Sequence, residues 1–275
     1  MNLVDSVEKH QINSKIVMEK INNILKKLGP GLLFAGAAIG VSHLVQSTRA
    51  GAEFGMGLLW ALILVNLFKY PFFQYGPRYA TATGESLLDG YNKLGRGILI
   101  AYAIITIATM FTIQTAVTIV TAGLASSLTN GLFTTEIWTI IIIAICSVIL
   151  FFGKYKVLDK LIKYVIILLA ISTIIATLIA FNNNTEQIVF SQTLPEISTE
   201  IAFLIAFMGW MPAPMDVSVW HSLWSLEKQK SNKDFNYKSS LFDFNIGYIG
   251  TIILGIAFMY LGYLVMFGGE NSFST

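Results

Sequence analysis

Long apolar segments dominate this chain, and they decide which folds are open to it. Hydrophobic residues make up 55% of the 275 residues and charged residues only 12%, about half the share found in soluble domains. Crossing a bilayer as a helix takes about 20 apolar residues, and inside hydrocarbon only helices and closed barrels satisfy the backbone. The sequence therefore predicts an all-α, polytopic helical bundle, with an N-terminal arm at 1–28 and a transmembrane domain at 29–275. Seven segments are long enough to span: 31–54, 57–77, 97–125, 135–153, 161–181, 197–225 and 241–268.

The arm has a pattern of its own. Apolar residues recur in it at near-helical spacing among lysines: Ile12, Ile16, Ile21, Ile24 and Leu25. This pattern is typical of an amphipathic helix on the membrane surface, and a frayed arm is the alternative.

Basic residues fall on one side of the predicted membrane. If the seven spans alternate, all lysines and arginines except Arg49 and Lys69 lie in the arm or in the loops after the second, fourth and sixth spans. The opposite loops, 126–134 and 182–198, contain none. Because positively charged loops stay in the cytoplasm, we expect a multi-pass protein of the cell membrane with a cytoplasmic N-terminus. Lys69, inside a span, either snorkels to the interface or pairs with a carboxylate of another span.

The sixth apolar segment contains residues that interrupt a helix. Pro212 and Pro214 lack an N–H donor, so an ordinary helix cannot continue through them. Asp216 then falls in the first turn of a new half-helix, where it either neutralises the positive helix end or serves as a cation ligand. His221 is either a proton-relay group or a packed, hydrogen-bonded histidine. The segment is predicted to be a helix broken at a binding site.

Methionines surround this interruption, at Met208, Met211 and Met215. Methionine usually fills gaps in a core. A thioether that points into a cavity is also a soft ligand, which favours transition metals over Mg²⁺ or Ca²⁺.

The first apolar segment has a second interruption. Residues 36–43 are rich in glycine and alanine and end in an ionisable group, His43. Small residues can reflect close helix packing, which is the better interpretation of Gly36. We expect the stretch from Gly40 to His43 to be unwound.

Polar residues continue along the helix beyond this stretch. Gln46 follows His43 at a spacing of three, so both lie on one stripe of a half-helix. Arg49 precedes Glu53 by four residues and either forms an ion pair with it near the outer interface or takes part in a permeation path. Gln46, Arg49 and His221 are the candidates for a proton or polar path.

The two interruptions are separated by five spans, counting the first. Matching interruptions in two halves indicate the binding site of an inverted-repeat transporter. A repeat of five spans inverts its second copy, which predicts the first seven helices of a LeuT-like five-plus-five arrangement with helices 1 and 6 broken. Because seven spans do not complete that arrangement, we expect the natural chain to continue past residue 275.

The first two segments contain several short motifs: Gly29-Pro30-Gly31, Arg49 to Gly55, Leu58-Leu59-Trp60, Asn66, Arg78 and Ala82-Thr83-Gly84. The sixth segment contains Met211-Pro212. With these motifs, the first two segments resemble the first two helices of the Nramp family of divalent metal transporters, and Met211-Pro212 resembles the Met-Pro of its sixth helix. The resemblance implies a LeuT-like fold and transport of Mn²⁺ or Fe²⁺ with protons into the cytosol.

The sequence departs from that family at the ion site. The metal-binding Asp of the family falls at Gly40 and its Asn at His43. The metal-binding Met is retained as Met211, and the carbonyl ligand falls at Met208. Segment 97–125 contains no acidic residue, although the family carries acids there on its proton route. We therefore expect a rewritten ion site, with Gly40, His43, Met208, Met211 and Asp216 around the ion.

These observations predict a secondary transporter that moves a divalent cation by alternating access. Mn²⁺ or Fe²⁺ is the expected substrate and Mg²⁺ is possible; no other cofactor is expected. The alternative is a LeuT-fold transporter of an organic solute such as an amino acid. Enzymatic motifs of the HExxH and GxSxG types are absent from the sequence, so we expect no enzyme. The expected partners are the lipid bilayer and the transported ion, without nucleic acid.

Overall fold

The computed structural model describes residues 28–183 and 190–268, without the side chains of 154–156. The arm, apart from Leu28, lies outside the described residues. Every regular element in the described ranges is a helix, which confirms the all-α class. The helices are α1 (Pro30–Ala38), α2 (Thr48–Phe54), α3 (Leu59–Thr83), α4 (Leu87–Leu94), α5 (Arg96–Leu128), α6 (Thr135–Asn183), α7 (Ser198–Trp210), α8 (Asp216–Ser231) and α9 (Tyr237–Met266).

The first membrane helix is broken between α1 and α2. Residues Ile39–Ser47 form wide π-type turns, and Gly40 leaves the helical conformation with ψ −128°. Such local widening inside a helix is frequent at functional sites. We call Ile39–Ser47 the first break.

The sixth membrane helix is broken between α7 and α8. Met211 is extended, with ψ 138°, and a regular helix resumes only at Asp216. Pro212 and Pro214 account for this interruption because neither can donate a helical hydrogen bond. We call residues 211–215 the second break. Helices 1 and 6 are therefore both broken, as the sequence predicts.

Within residues 28–183 and 190–268, five helical stretches are long and apolar enough to cross a membrane, judged by length and composition: Pro30–Phe54, Arg96–Leu128, Thr135–Gly153, Val157–Asn183 and Tyr237–Met266. The second predicted span is the 25-residue α3, which carries Lys69 and Arg78. The sixth is divided between α7 and α8, each too short to span alone. The seven predicted segments fall on helices, and that each of them crosses the membrane stays a prediction.

One boundary differs from the expectation. The sequence predicts a basic loop between the fourth and fifth spans, whereas the structure has one helix of 49 residues, Thr135–Asn183. No proline interrupts this stretch, so nothing local forces a turn. A straight helix of that length is about 70 Å long, more than twice the roughly 30 Å of hydrocarbon. Its two apolar parts therefore remain separate candidate spans.

Helix α9 is the centre of the packing. Gly31 and Gly247 let α1 approach it closely: a Cβ added at Gly247 would lie 2.1 Å from the Gly31 carbonyl oxygen. Phe34, Phe244 and Tyr248 form a buried aromatic core between these helices. By contrast, α5 and α6 expose nearly all their apolar side chains, as helix surfaces that face lipid do. The packed side of the molecule is therefore where the two breaks lie.

Candidate functional site

The two breaks are in direct contact. The Ser42 hydroxyl of the first break donates a hydrogen bond of 3.2 Å to the Pro212 carbonyl oxygen of the second. Both residues are buried, so a side chain of the first break meets a backbone carbonyl of the second inside the bundle. In a membrane such backbone is tolerated only where it is buried in protein or lines a cavity.

Lys69 of α3 binds the end of α7. Its Nζ donates to the carbonyl oxygens of Met208 at 2.9 Å, Gly209 at 2.9 Å and Met211 at 2.7 Å. The last carbonyls of a helix have no intrahelical partner and carry the negative end of its dipole. The ammonium satisfies three such oxygens at once. Of the two roles left open by the sequence, Lys69 takes neither: it pairs with backbone oxygens.

A cavity of about 330 Å³ lies beside this contact. One wall carries Asp216, whose Oδ1 accepts a hydrogen bond of 3.4 Å from the Thr106 hydroxyl. The other side chains that line the cavity are mainly aromatic and apolar. The nine lining residues are Lys69, Phe72, Phe73, Tyr91, Tyr102, Ile105, Met215, Asp216 and Ser218.

Two tyrosines bring hydroxyl groups to the Asp216 side of the cavity. The Tyr91 and Tyr102 rings lie 5.5 Å apart, centroid to centroid. Burial raises the pKa of Tyr91, and the negative charge of Asp216 raises it further. Tyr91 therefore stays a neutral hydroxyl, able to donate a hydrogen bond. Asp216, Thr106 and these tyrosines together offer an oxygen-rich wall opposite apolar rings.

The predicted ligands of the first break are not brought together. His43 is fully buried, with Nδ1 2.9 Å from the Ala38 carbonyl oxygen. Its ring packs against α9, since a Cβ added at Gly255 would lie 3.1 Å from the His43 ring. Gly40 is exposed, and a Cβ added there would meet nothing within 4 Å. Neither residue is among those lining the cavity.

The ligands predicted near the second break lie in different surroundings. Met211 is buried in an apolar cluster with Phe207 and Leu62, which fits gap filling. The Met208 carbonyl is bound by Lys69. Met215 and Asp216 reach the cavity. Of the predicted ligands, Asp216 therefore lines the cavity, while Met211 packs in the core.

Gln46, Arg49 and His221, the candidates for a polar path, lie in different surroundings, and none of them lines the cavity. Gln46 is half-buried. Arg49 forms the expected ion pair with Glu53, at 3.0 Å. His221 is fully buried, with its ring centroid 5.8 Å from Phe34 and 5.6 Å from Phe244.

No group of three or more His, Cys, Asp or Glu residues that could hold a metal occurs within the described ranges. A cation in this cavity would rely on Asp216, hydroxyl groups and its own water. The sequence did not identify Tyr91 and Tyr102 as cavity residues, because their positions near Asp216 depend on how α4 and α5 pack. The sequence could have identified Asp243 as a candidate functional residue, since it is an acid within the apolar segment 241–268.

Comparison with known proteins gives two matches. The model of the Nramp family, described as natural resistance-associated macrophage protein-like, matches residues 31–274. An uncharacterized protein of Pasteurella multocida (strain Pm70) is 37% identical over 249 residues, which cover 89% of this chain and 57% of that protein. The chain thus spans little more than half the length of this relative.

Proposed function

Because the chain belongs to the Nramp family, we propose that it forms part of a secondary transporter that moves a divalent metal cation across the membrane by alternating access. The family implies metal ion transport. The observation that carries the proposal is the meeting of two broken helices beside a cavity containing the Asp216 carboxylate. Transporters of this architecture bind their substrates at such broken helices, and the cavity adjoins the second break through Met215.

The cavity supports a cation that keeps its water. Asp216 is the one carboxylate among the nine lining residues, and Mg²⁺ typically retains several waters and binds through one or two carboxylates. A water molecule takes about 30 Å³ in the liquid, so six waters need about 180 Å³. That volume fits within about 330 Å³. We therefore place Mg²⁺ ahead of Mn²⁺ and Fe²⁺, which usually lose more of their water to protein ligands.

Proton coupling is not part of the proposal. The third apolar segment, 97–125, contains no acidic residue, and His43 and His221 lie buried away from the cavity lining. The driving force we propose is the gradient and charge of the cation itself.

Uptake into proteoliposomes tests the proposal. The full natural chain is reconstituted, and uptake of labelled Mg²⁺, Mn²⁺ and Fe²⁺ is measured for the wild type and for Asp216→Asn. We expect Mg²⁺ uptake by the wild type and a loss of about tenfold or more in the variant, corresponding to one charge-assisted contact of about 1.4 kcal/mol.

The matched control is Glu227→Gln, which removes a carboxylate from an exposed position on the same helix. Its uptake should equal that of the wild type. Equal losses in both variants, or no uptake of any of the three metals, would contradict the proposal.

An organic solute is the second candidate, and the cavity itself favours it. Its volume is at the lower end of small-molecule sites, and its walls are mostly aromatic and apolar with few polar groups. Lys69 and Asp216 add one charge of each sign, which suits a zwitterion such as an amino acid. Uptake of labelled amino acids by the same proteoliposomes, without uptake of any metal, would transfer the assignment to this candidate.

A further inference from the structure

The end of α7 forms a cation site built from main-chain oxygens. The carbonyl oxygens of Met208, Gly209 and Met211 converge on one point, each 2.7 to 2.9 Å from the same nitrogen atom. The C-terminal ends of broken half-helices, with their unwound carbonyls, are where coupling cations bind in transporters of this architecture. Here the point is occupied by an ammonium group of the chain.

Lys69 is held in this position by the packing of its own helix. Five residues after Pro71, α3 touches α8: a Cβ added at Gly76 would lie 2.3 Å from the Ser218 carbonyl oxygen. The Ser218 hydroxyl also donates to the Phe72 carbonyl oxygen at 3.0 Å. The Tyr70 hydroxyl lies 2.7 Å from Asn245 Oδ1 of α9. The residues that follow Lys69 in α3 are therefore anchored to α8 and α9, and its side chain reaches the carbonyls from a fixed backbone.

We propose that Lys69 is a tethered cation, which takes the place of a mobile ion at the end of α7. The ammonium neutralises the negative end of the half-helix and keeps free cations away from its carbonyl oxygens. A transported species must then bind in the adjoining cavity, on the Asp216 side. This proposal concerns the occupancy of the carbonyl oxygens and holds whichever substrate the protein carries.

The test is to remove the charge and count bound ions. Mn²⁺ is the probe, because its free hydrated form gives a room-temperature electron paramagnetic resonance signal that disappears on binding. The full natural chain is purified in detergent as wild type, Lys69→Gln and Lys69→Arg. Gln is neutral and keeps a donor for the carbonyls, whereas Arg keeps the charge.

We expect Lys69→Gln to gain a Mn²⁺ site, seen as one additional bound ion or at least tenfold tighter binding than in the wild type. Lys69→Arg should bind Mn²⁺ like the wild type. Unchanged binding in Lys69→Gln, or an equal gain in Lys69→Arg, would overturn the proposal.

A double variant separates the carbonyl site from simple relief of repulsion at Asp216. Asp216→Asn combined with Lys69→Gln should keep the gain, since the new ligands are backbone oxygens. Loss of the gain in the double variant would assign it to Asp216 and overturn the proposal. Failure of metal uptake by the wild type would leave these binding results unaffected, so the two proposals can fail separately.

Amine acylation of the wild type, read by mass spectrometry, covers the case in which the variants do not fold. Lys228 is the comparison, because it is also half-buried but donates to one carbonyl oxygen, that of Leu28, at 3.2 Å. We expect Lys69 to react more slowly than Lys228, with and without Mn²⁺. Equal rates, or exposure of Lys69 by Mn²⁺, would contradict a permanent tethered cation.

Discussion

Asp243 is a buried carboxylate that holds the start of the first membrane helix. It lies on α9 and accepts hydrogen bonds from the backbone amides of Gly29 at 2.9 Å and Gly31 at 2.7 Å. These amides have no helical partner at the start of α1, and a negative charge there interacts favourably with the helix dipole. Two intramembrane acids thus have different tasks: Asp243 joins two helices, and Asp216 faces a cavity.

Replacing Asp243 by Asn should destabilise the fold. Asn keeps one acceptor oxygen and places an NH₂ group against a backbone N–H, so a buried donor loses its partner at a cost of about 1–3 kcal/mol. Thermal unfolding in detergent measures the change. Asp234→Asn, at an exposed position just before α9, is the control and should change stability by less than about 0.5 kcal/mol. A melting temperature for Asp243→Asn equal to that of the control would show that the carboxylate is not needed.

Among elements, the two broken helices arise from different causes. The second break is local, since two prolines within three residues exclude a regular helix. The first break contains no proline, and Ser42 within it is bonded to Pro212 of the second break. The sequence predicts an unwound stretch near Gly40. In the structure, the wide turns of the first break also contact the second break, through the Ser42 hydroxyl and the Pro212 carbonyl oxygen.

Close contact of α1 with α9 should depend on Gly247. A Cβ at this position would lie 2.1 Å from the Gly31 carbonyl oxygen, whereas a Cβ at Gly250, one turn away on the same helix, would meet nothing within 4 Å. Gly247→Ala should therefore force the helices apart and cost about 1–3 kcal/mol. Gly250→Ala should be neutral or stabilise the helix by up to about 1 kcal/mol. Thermal unfolding of both variants tests this, and similar melting temperatures would contradict the close packing.

At the scale of the whole molecule, loop contacts support alternating spans. The Lys228 ammonium donates to the Leu28 carbonyl oxygen at 3.2 Å, which joins the end of the arm to the last turns of α8. At the opposite end, the Thr193 amide donates to the Gly57 carbonyl oxygen at 2.9 Å. One contact between lysine-bearing segments and one between lysine-free segments thus lie at opposite ends of the bundle. That the basic end is cytoplasmic stays a prediction from the charge bias.

Cysteine labelling in intact cells tests this orientation. With Cys146, the one cysteine of the chain, replaced by serine, single cysteines are introduced as Leu132→Cys and Lys233→Cys, both at exposed positions. We expect a membrane-impermeant maleimide to label position 132 in intact cells and position 233 only after permeabilisation. The reverse pattern would place the N-terminus outside.

The sequence alone determined the class of the protein and the position of both breaks. The length of an apolar segment decides whether it can span a membrane, and the charge of a loop decides on which side it lies. Neither depends on which other helices the segment packs against, so both can be predicted from the sequence. The sequence did not determine every helix boundary, because α6 continues through the basic stretch that the charge pattern predicts to be a loop.

The tertiary structure decided what each polar residue does. The sequence could identify Lys69, His43 and Asp216 as unusual inside a membrane, but it could not say which neighbours they meet. Packing turned Lys69 to the end of α7, His43 to α9 and Asp216 to the cavity. These roles depend on distances between helices far apart in the chain, and those distances are set only when the bundle is assembled.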